Sequence, residues 1–285
     1  LGNRTDAYLT IARQIADFED HRRSIISHLY RCKLFHWDPN LRTLSSRALR
    51  GLAALDLPFV SKTVVPSLLD KSLNEKDLPT RHGAVLGLSA IILALSKSRS
   101  VHHLSQRELD RLIALVPEIE RKRLYRGRGG ELMRSGVCQL IECMSLAKLQ
   151  LTVRDQVRLL DTVDATLPHP SETIQQDACR ALEALLEQYF PVGPKGPSDR
   201  LQKRVVDKFV GKVRTSDNPA IARGYALALG HLPAKLLAPN DFVLDEIIDC
   251  LRECARPCSL VGGGGDAETR RDALLSLSRV AQTVG

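Results

Sequence analysis

Aromatic residues are scarce, at 4% of 285 positions, with a single Trp and two Met. Strands favour β-branched and aromatic side chains, and no stretch alternates apolar and polar residues between Asn-Gly or Asp-Gly turns, so the chain suits packed helices better than a β-sandwich. Long hydrophobic runs are also missing. The longest nearly continuous one, from 83 to 96, is shorter than the roughly 20 residues of a membrane span. It lies between Arg81-His82 and Lys97 and reads as a buried core helix, with no membrane insertion expected. Cysteine is not organised as a scaffold. The seven residues (Cys32, Cys138, Cys143, Cys179, Cys250, Cys254, Cys258) are odd in number and scattered. Such a pattern suits a reducing compartment, where thiols act as small buried hydrophobes. Leu1 to Asp6 lacks the apolar stretch of a secretory signal, and no initiator Met is present, so the expectation is a piece of a longer polypeptide.

What the chain does hold is leucine, 46 residues of it, and charge, at 26% of positions. Lys and Arg total 41 against 33 Asp and Glu, a formal net charge of +8. That composition excludes a disordered chain and suits packed helices.

A unit recurs along the sequence: a polar or Pro-bearing cap, then Arg, then small and aliphatic residues at helical spacing. It appears at Asp38-Pro39 with Arg42, at Asp77 with Pro79 and Arg81, and at Arg134. It returns at Asn218-Pro219 with Arg223 and at Asp266 with Arg270, while a weaker copy carries Gln176 in the Arg position. Most steps fall near the roughly 40–47 residues of a HEAT or armadillo unit. Asp38 and Asp77 are good N-caps, Pro39 suits a first helical turn, and Ser105 with Glu108 reads as a capping box. Further helices are expected at about 60–73, 105–116, 152–166, 200–213 and 241–255. The expected fold is therefore all-α, an α-solenoid of about six HEAT/armadillo-like helix pairs. It reads as one continuous array over 1–285, with inter-repeat loops near 191–199 and 259–265.

Tyr125-Arg126-Gly127-Arg128-Gly129-Gly130 is the most unusual stretch. Six cations fall between Arg121 and Arg134. Glycines among arginines can cradle phosphate, but a phosphate loop ends in Gly-Lys-Ser/Thr after a strand, and neither is present. Two readings remain: a break between helices, and a loop that contacts a partner through Tyr125, Arg126, Arg128 and Arg134. Trp37 is expected as a hydrophobic staple at a helix entry rather than as a surface anchor. Cys250, Cys254 and Cys258 share one helix face, but no fourth ligand is evident, so packing is favoured over zinc. His102-His103 is expected in solvent. No Ser/His/Asp or Cys/His spacing suggests a triad, so neither catalysis nor a cofactor is expected. Lys203, Arg204, Lys208 and Lys212 make one helix face basic, either as solvated surface or towards an acidic partner. Aromatics are not interleaved with these charges, which argues against nucleic acid.

Several motifs resemble tubulin-folding cofactor D, the tubulin-specific chaperone D family. They are His36-Trp37-Asp38, Arg81-His82-Gly83, Tyr125 to Arg134 (including Gly127, Gly129 and Gly130), Leu227-Ala228-Leu229-Gly230, and Arg270-Arg271-Asp272 through Gly285. The resemblance runs along essentially the whole chain and corresponds to the C-terminal part of that HEAT-repeat family. It implies a cytoplasmic, cytoskeleton-associated chaperone region that binds β-tubulin. It further implies work with tubulin-folding cofactors E and C and an Arf-like small GTPase on the αβ-tubulin heterodimer. Stimulated GTP hydrolysis would then occur on tubulin, not in this chain. The partner-binding residues expected on this basis are Trp37, Tyr125 to Gly130, Arg134, Arg270 and Arg271. The competing expectation is a generic HEAT scaffold, such as a transport or RNA-associated adaptor with an acidic partner.

Overall fold

The computed structural model describes residues 3–127, 129–190, 199–237, 241–256 and 266–284. The expected loops near 191–199 and 259–265, Arg128 and Cys258 fall wholly or largely outside the described residues. Among the described residues there is no strand. The chain divides into two compact units, Leu1–Asp155 and Gln156–Gly285. Within each, the expected all-α class and solenoid-type pairing of helices are observed.

The first unit opens with α1 (Arg4–Asp17) and α2 (Glu19–His28), which the repeat pattern did not reveal. Then come α3 (Pro39–Leu52), the short α4 (Leu57–Phe59) and α5 (Val65–Asn74), the last two joined by a π-helical segment, Val60–Val64. α6 (Leu78–Lys97), α7 (Gln106–Arg121) and α8 (Gly130–Leu146) complete it. α6 packs against α3, α5 and α8, while α5 also meets α7. That central position explains its composition. By length and hydropathy it could cross a membrane, yet 78% of its most apolar window is buried inside the protein.

The caps form as the sequence indicates. Asp38 accepts from the Asn40 N–H at 2.8 Å, and Asp77 from the Thr80 N–H at 2.9 Å. Ser105 and Glu108 close a reciprocal capping box. The helix C-termini are less conventional. Arg99, Arg123 and Lys148, each two residues past the end of α6, α7 or α8, hold φ of 56°. The next N–H (Ser100, Leu124, Leu149) reaches back to a carbonyl five residues earlier, closing a Schellman turn. A cation in the left-handed position costs strain but lies where the helix dipole favours positive charge.

The second unit contains most of α9 (Val153–Asp164), then α10 (Glu172–Tyr189), α11 (Asp199–Thr215) and α12 (Pro219–Leu229). A four-residue α13 (Ala234–Leu237), α14 (Asp241–Ala255) and α15 (Ala267–Val284) follow. α12 packs against α10, α11 and α15, and α14 lies on α11 and α15. All six repeat-marked helices expected from the sequence are thus present, as α3, α6, α8, α10, α12 and α15.

One joint is built twice, once in each unit. In the first, the residue four after the N-cap of α3 is Arg42, with 1% of its surface exposed. Its Nε donates to His82 Nδ1 at 3.0 Å, and Nη1 donates to the carbonyls of His36 and Trp37 at 2.8 and 2.9 Å. In the second, Arg223 of α12 donates through Nε to Gln175 Oε1 of α10 at 3.0 Å, and through Nη2 to the Pro170 carbonyl at 2.7 Å. Gln175 Nε2 donates in turn to the Ala220 carbonyl at 2.7 Å. The direction is reversed: the earlier helix supplies the Arg in one unit and the acceptor in the other. The sequence expectation placed Gln176 in this role. The structure corrects the register, because Gln175 is buried and Gln176 is exposed, bonded to Glu172 at 2.9 Å. Glycine follows at each joint. Gly83 and Gly224 let α6 and α12 approach the carbonyls of Leu34 and Leu167, which an added Cβ would meet at 1.7 and 1.9 Å.

The first joint makes stability acid-sensitive. Burial, and then the adjacent Arg42 charge, push His82 down to about 3 from an ordinary 6.5. The unfolded chain therefore binds the extra proton between those values. The contribution of neutral His82 is complete above pH 6.5 and is lost as pH falls towards 3. By pH 5 the loss amounts to about 2 kcal/mol. Urea unfolding between pH 7 and 5 should show this slope. His82→Gln keeps an acceptor but cannot titrate, so it should flatten the profile; an unchanged slope would assign the effect to other groups.

Candidate functional site

Of the partner-binding residues expected in the first unit, Trp37 precedes α3, and the described residues of 125–134 lead into α8. Gly129 is the N-cap of α8, with φ of 84°, and Gly127 has φ of 87°. An added Cβ at Gly129 would lie 2.1 Å from Leu78 Cδ2, and one at Gly130 would lie 1.8 Å from the Tyr125 carbonyl. These two glycines are therefore needed for the turn and for close packing. Gly127 differs, because a Cβ there meets open space and only its backbone angle calls for glycine.

Tyr125 is mostly covered. Its hydroxyl is buried without a hydrogen-bond partner among the described residues, and burial raises its pKa well above the usual phenol value. The Arg134 guanidinium lies over its ring, 4.9 Å from the centroid. This pair holds the loop to the first turn of α8 from within. Arg126 is exposed and offers its charge outward, while Arg128 lies outside the described residues. Arg121 is committed to Glu118 at 2.6 Å, and Lys122 donates to the Leu73 carbonyl at 3.1 Å.

Trp37 departs from the staple expectation. It is 79% exposed, and its ring lies beside that of His36, at 5.3 Å between centroids. Its carbonyl is held by Arg42, so the backbone is fixed while the indole stands in solvent. The structure thus assigns it the surface position that the sequence reading ranked second. Sequence reasoning missed Arg42 and His82 as a bonded pair. The only available signal was their place at the start of two successive repeats.

In the second unit, Arg270 and Arg271 sit in the first turn of α15. Arg270 Nε is buried and unpartnered among the described residues. Arg271 is exposed and bridges Glu172 at 3.0 Å and Asp272 at 2.7 Å. Burial raises the Asp272 pKa despite that contact. Both arginines belong to the same structural region as the Gln175–Arg223 joint, with Arg223 also paired to Glu268.

His102 and His103 are exposed in a 3₁₀ turn, as expected. No group of three His, Cys, Asp or Glu side chains is placed to hold a metal among the described residues. Cys250 and Cys254 share the last turns of α14, where a hydrogen bond with Cys254, and then burial, push Cys250 up. A polar cleft of about 430 Å³ lies between α10, the end of α12 and α15. Its carboxylates are already committed, Glu183 to His231 at 2.7 Å and Glu187 to Lys235 at 2.5 Å.

No family model matches the chain. Among curated proteins it is similar to tubulin-specific chaperone D of Dictyostelium discoideum, 21% identical over 302 residues. The match covers 82% of this chain and 20% of that chaperone. The chain resembles a tubulin-specific chaperone D region. It spans about a fifth of the length of the curated relative. Two solved structures of engineered proteins are also similar, at 17% and 15% identity and TM-scores of 0.45 and 0.44. Each covers 90% of this chain, and 98% and 97% of its own. The resemblance seen in the chain's motifs therefore agrees with the comparison. In the structure, the chaperone-D-like motifs prove to be largely joints: Gly83 against Leu34, His82 against Arg42, and Gly130 against Tyr125.

Proposed function

We propose that this chain is a non-catalytic chaperone region that binds β-tubulin. On this reading it acts in the cytoplasm with tubulin-folding cofactors E and C and an Arf-like small GTPase on the αβ-tubulin heterodimer. It contributes to GTP hydrolysis carried out by tubulin. The similarity to tubulin-specific chaperone D over 82% of the chain carries the reading. The net charge of +8 supports an acidic client. The proposed contact edge combines exposed Trp37 and Arg126; Arg128, which lies outside the described residues, is proposed with them. Arg270 and Arg271 are proposed as a second contact.

Pull-down of the chain against β-tubulin, each cofactor and the GTPase separately tests the partner assignment. Arg126→Glu with Arg128→Glu should weaken the interaction by on the order of 2 kcal/mol, the cost of losing one desolvated hot spot. Tyr125→Phe is the contrast. It removes only a buried hydroxyl without a partner, so it should leave binding unchanged and stability equal or higher by up to about 1 kcal/mol. If the charge-reversed protein melts several degrees lower yet binds normally once folded, the loop is structural and the contact edge lies elsewhere.

A further inference from the structure

The basic face of α11 is not used by the joints or by the proposed contact edge, and it borders a cleft. Between α9 and α11 lies a space of about 330 Å³ floored by Val157, Leu160, Phe190, Val205 and Phe209. Phe209 is 2% and Phe190 8% exposed, and Phe209 is braced by the Tyr225 ring at 5.3 Å, so the floor is firm. Val157 is 44% exposed, an apolar group standing at the opening without cover. On the α11 side the rim is Arg204 and Lys208; on the α9 side it is Asp161 and Asp164. Lys208 is committed to Asp164 at 2.8 Å, and Asp164 also accepts from the Tyr225 hydroxyl at 3.2 Å. That brace holds the two helices at fixed spacing. Lys203, Arg204 and Lys212 are exposed, and Arg204, Lys208 and Lys212 recur at every helical turn along the same flank.

We infer that this cleft is a docking groove for an acidic amphipathic helical segment of another protein. Its apolar stripe lies on Val157 and Phe209, and its carboxylates face Arg204 and the neighbouring cations of α11. Charge complementarity with the α11 flank selects this occupant: Lys203, Arg204 and Lys212 stand exposed there, while Asp164 on the opposite rim is already committed to Lys208. Nucleic acid fits less well. Both rings are sunk in the floor rather than offered for base stacking, and exposed Asp161 and Asp207 interrupt the positive surface. The inference stands apart from the tubulin assignment, since it rests on unit-two geometry alone.

Fluorescence anisotropy with the full chain tests it. The probes are a labelled 18-residue helical peptide with leucines at i, i+3, i+4 and i+7 and glutamates on its flanks, the same peptide with lysines for glutamates, and an oligouridine RNA. The glutamate peptide should bind saturably and weaken as salt is raised. Lys203→Glu with Arg204→Glu should weaken it about tenfold or more, and so should Val157→Glu, which closes the groove without touching the basic face. All three positions are exposed, so unchanged thermal melting certifies the fold. Equal binding of the lysine peptide, tighter binding of oligouridine, or full binding by the Val157→Glu protein would each overturn the groove. Loss of β-tubulin binding with retention of the peptide would instead count only against the chaperone reading.

Discussion

Arg42→Ala is expected to destabilise the first unit by about 3 kcal/mol or more, lowering its melting midpoint by roughly 6–12 °C. The side chain is 1% exposed and has no carboxylate bonded to it among the described residues; burial lowers its pKa, and Asp38 only partly opposes that. What keeps the charge inside is its set of three acceptors: His82 Nδ1 and the His36 and Trp37 carbonyls. Alanine leaves buried His82 and the two part-buried carbonyls without that donor and opens a cavity between α3 and α6 as well. Lysine should not rescue it, because one ammonium cannot reproduce the planar fork that serves the ring and the carbonyls together. A double-mutant cycle with His82→Ala isolates the shared part, which should exceed about 1 kcal/mol for groups in direct contact. A loss below about 1 kcal/mol for Arg42→Ala would mean that water replaces the guanidinium and that the joint is not a fastening.

Much of the helical framework was readable because its signals are local. An N-cap needs only a carboxylate or amide and the next turn, so Asp38, Asp77, Asn218 and Ser105 marked their helices correctly. The unbroken apolar run of α6 announced a helix buried on all sides, and that is where it lies. The helix C-termini gave no such signal. A Schellman turn usually shows itself by glycine, but here Arg99, Arg123 and Lys148 take the left-handed position. The joint was half legible. Spacing showed that one residue recurred near the start of each repeat, but the buried position is four after the N-cap at Arg42 and Gln175 and five after it at His82 and Arg223. Only the neighbouring helix decides which one bonds, as Gln175 against Gln176 shows. Which way each side chain of the loop at 125–130 turns was illegible for a similar reason. Dense Arg and Tyr look like an interface, yet Tyr125 is turned in beneath Arg134, a choice made by the long-range packing of α8.

Gly83→Ala should cost about 3 kcal/mol, close to the Arg42 effect, although it adds a single methyl group. The new Cβ would sit 1.7 Å from the Leu34 carbonyl oxygen and 2.7 Å from its carbon. A side-chain clash could be relieved by a rotamer change, but here the obstacle is backbone. α6 itself would have to move away from the segment that precedes α3. That movement would lengthen the Arg42–His82 hydrogen bond, since His82 is the adjacent residue, so overpacking and lost bonding act together. Alanine is the better helix former by up to about 1 kcal/mol, so intrinsic propensity opposes the expected result and makes it more diagnostic. Gly51→Ala provides the control: it lies within α3, where an added Cβ meets nothing within 4 Å, and should be neutral or stabilising. Urea titrations should therefore lower the Gly83→Ala midpoint and leave the Gly51→Ala midpoint unchanged or raised. Equal midpoints would show that α6 can recede from Leu34 freely, and that the twice-built contact of glycine on carbonyl is not what sets the spacing between repeats.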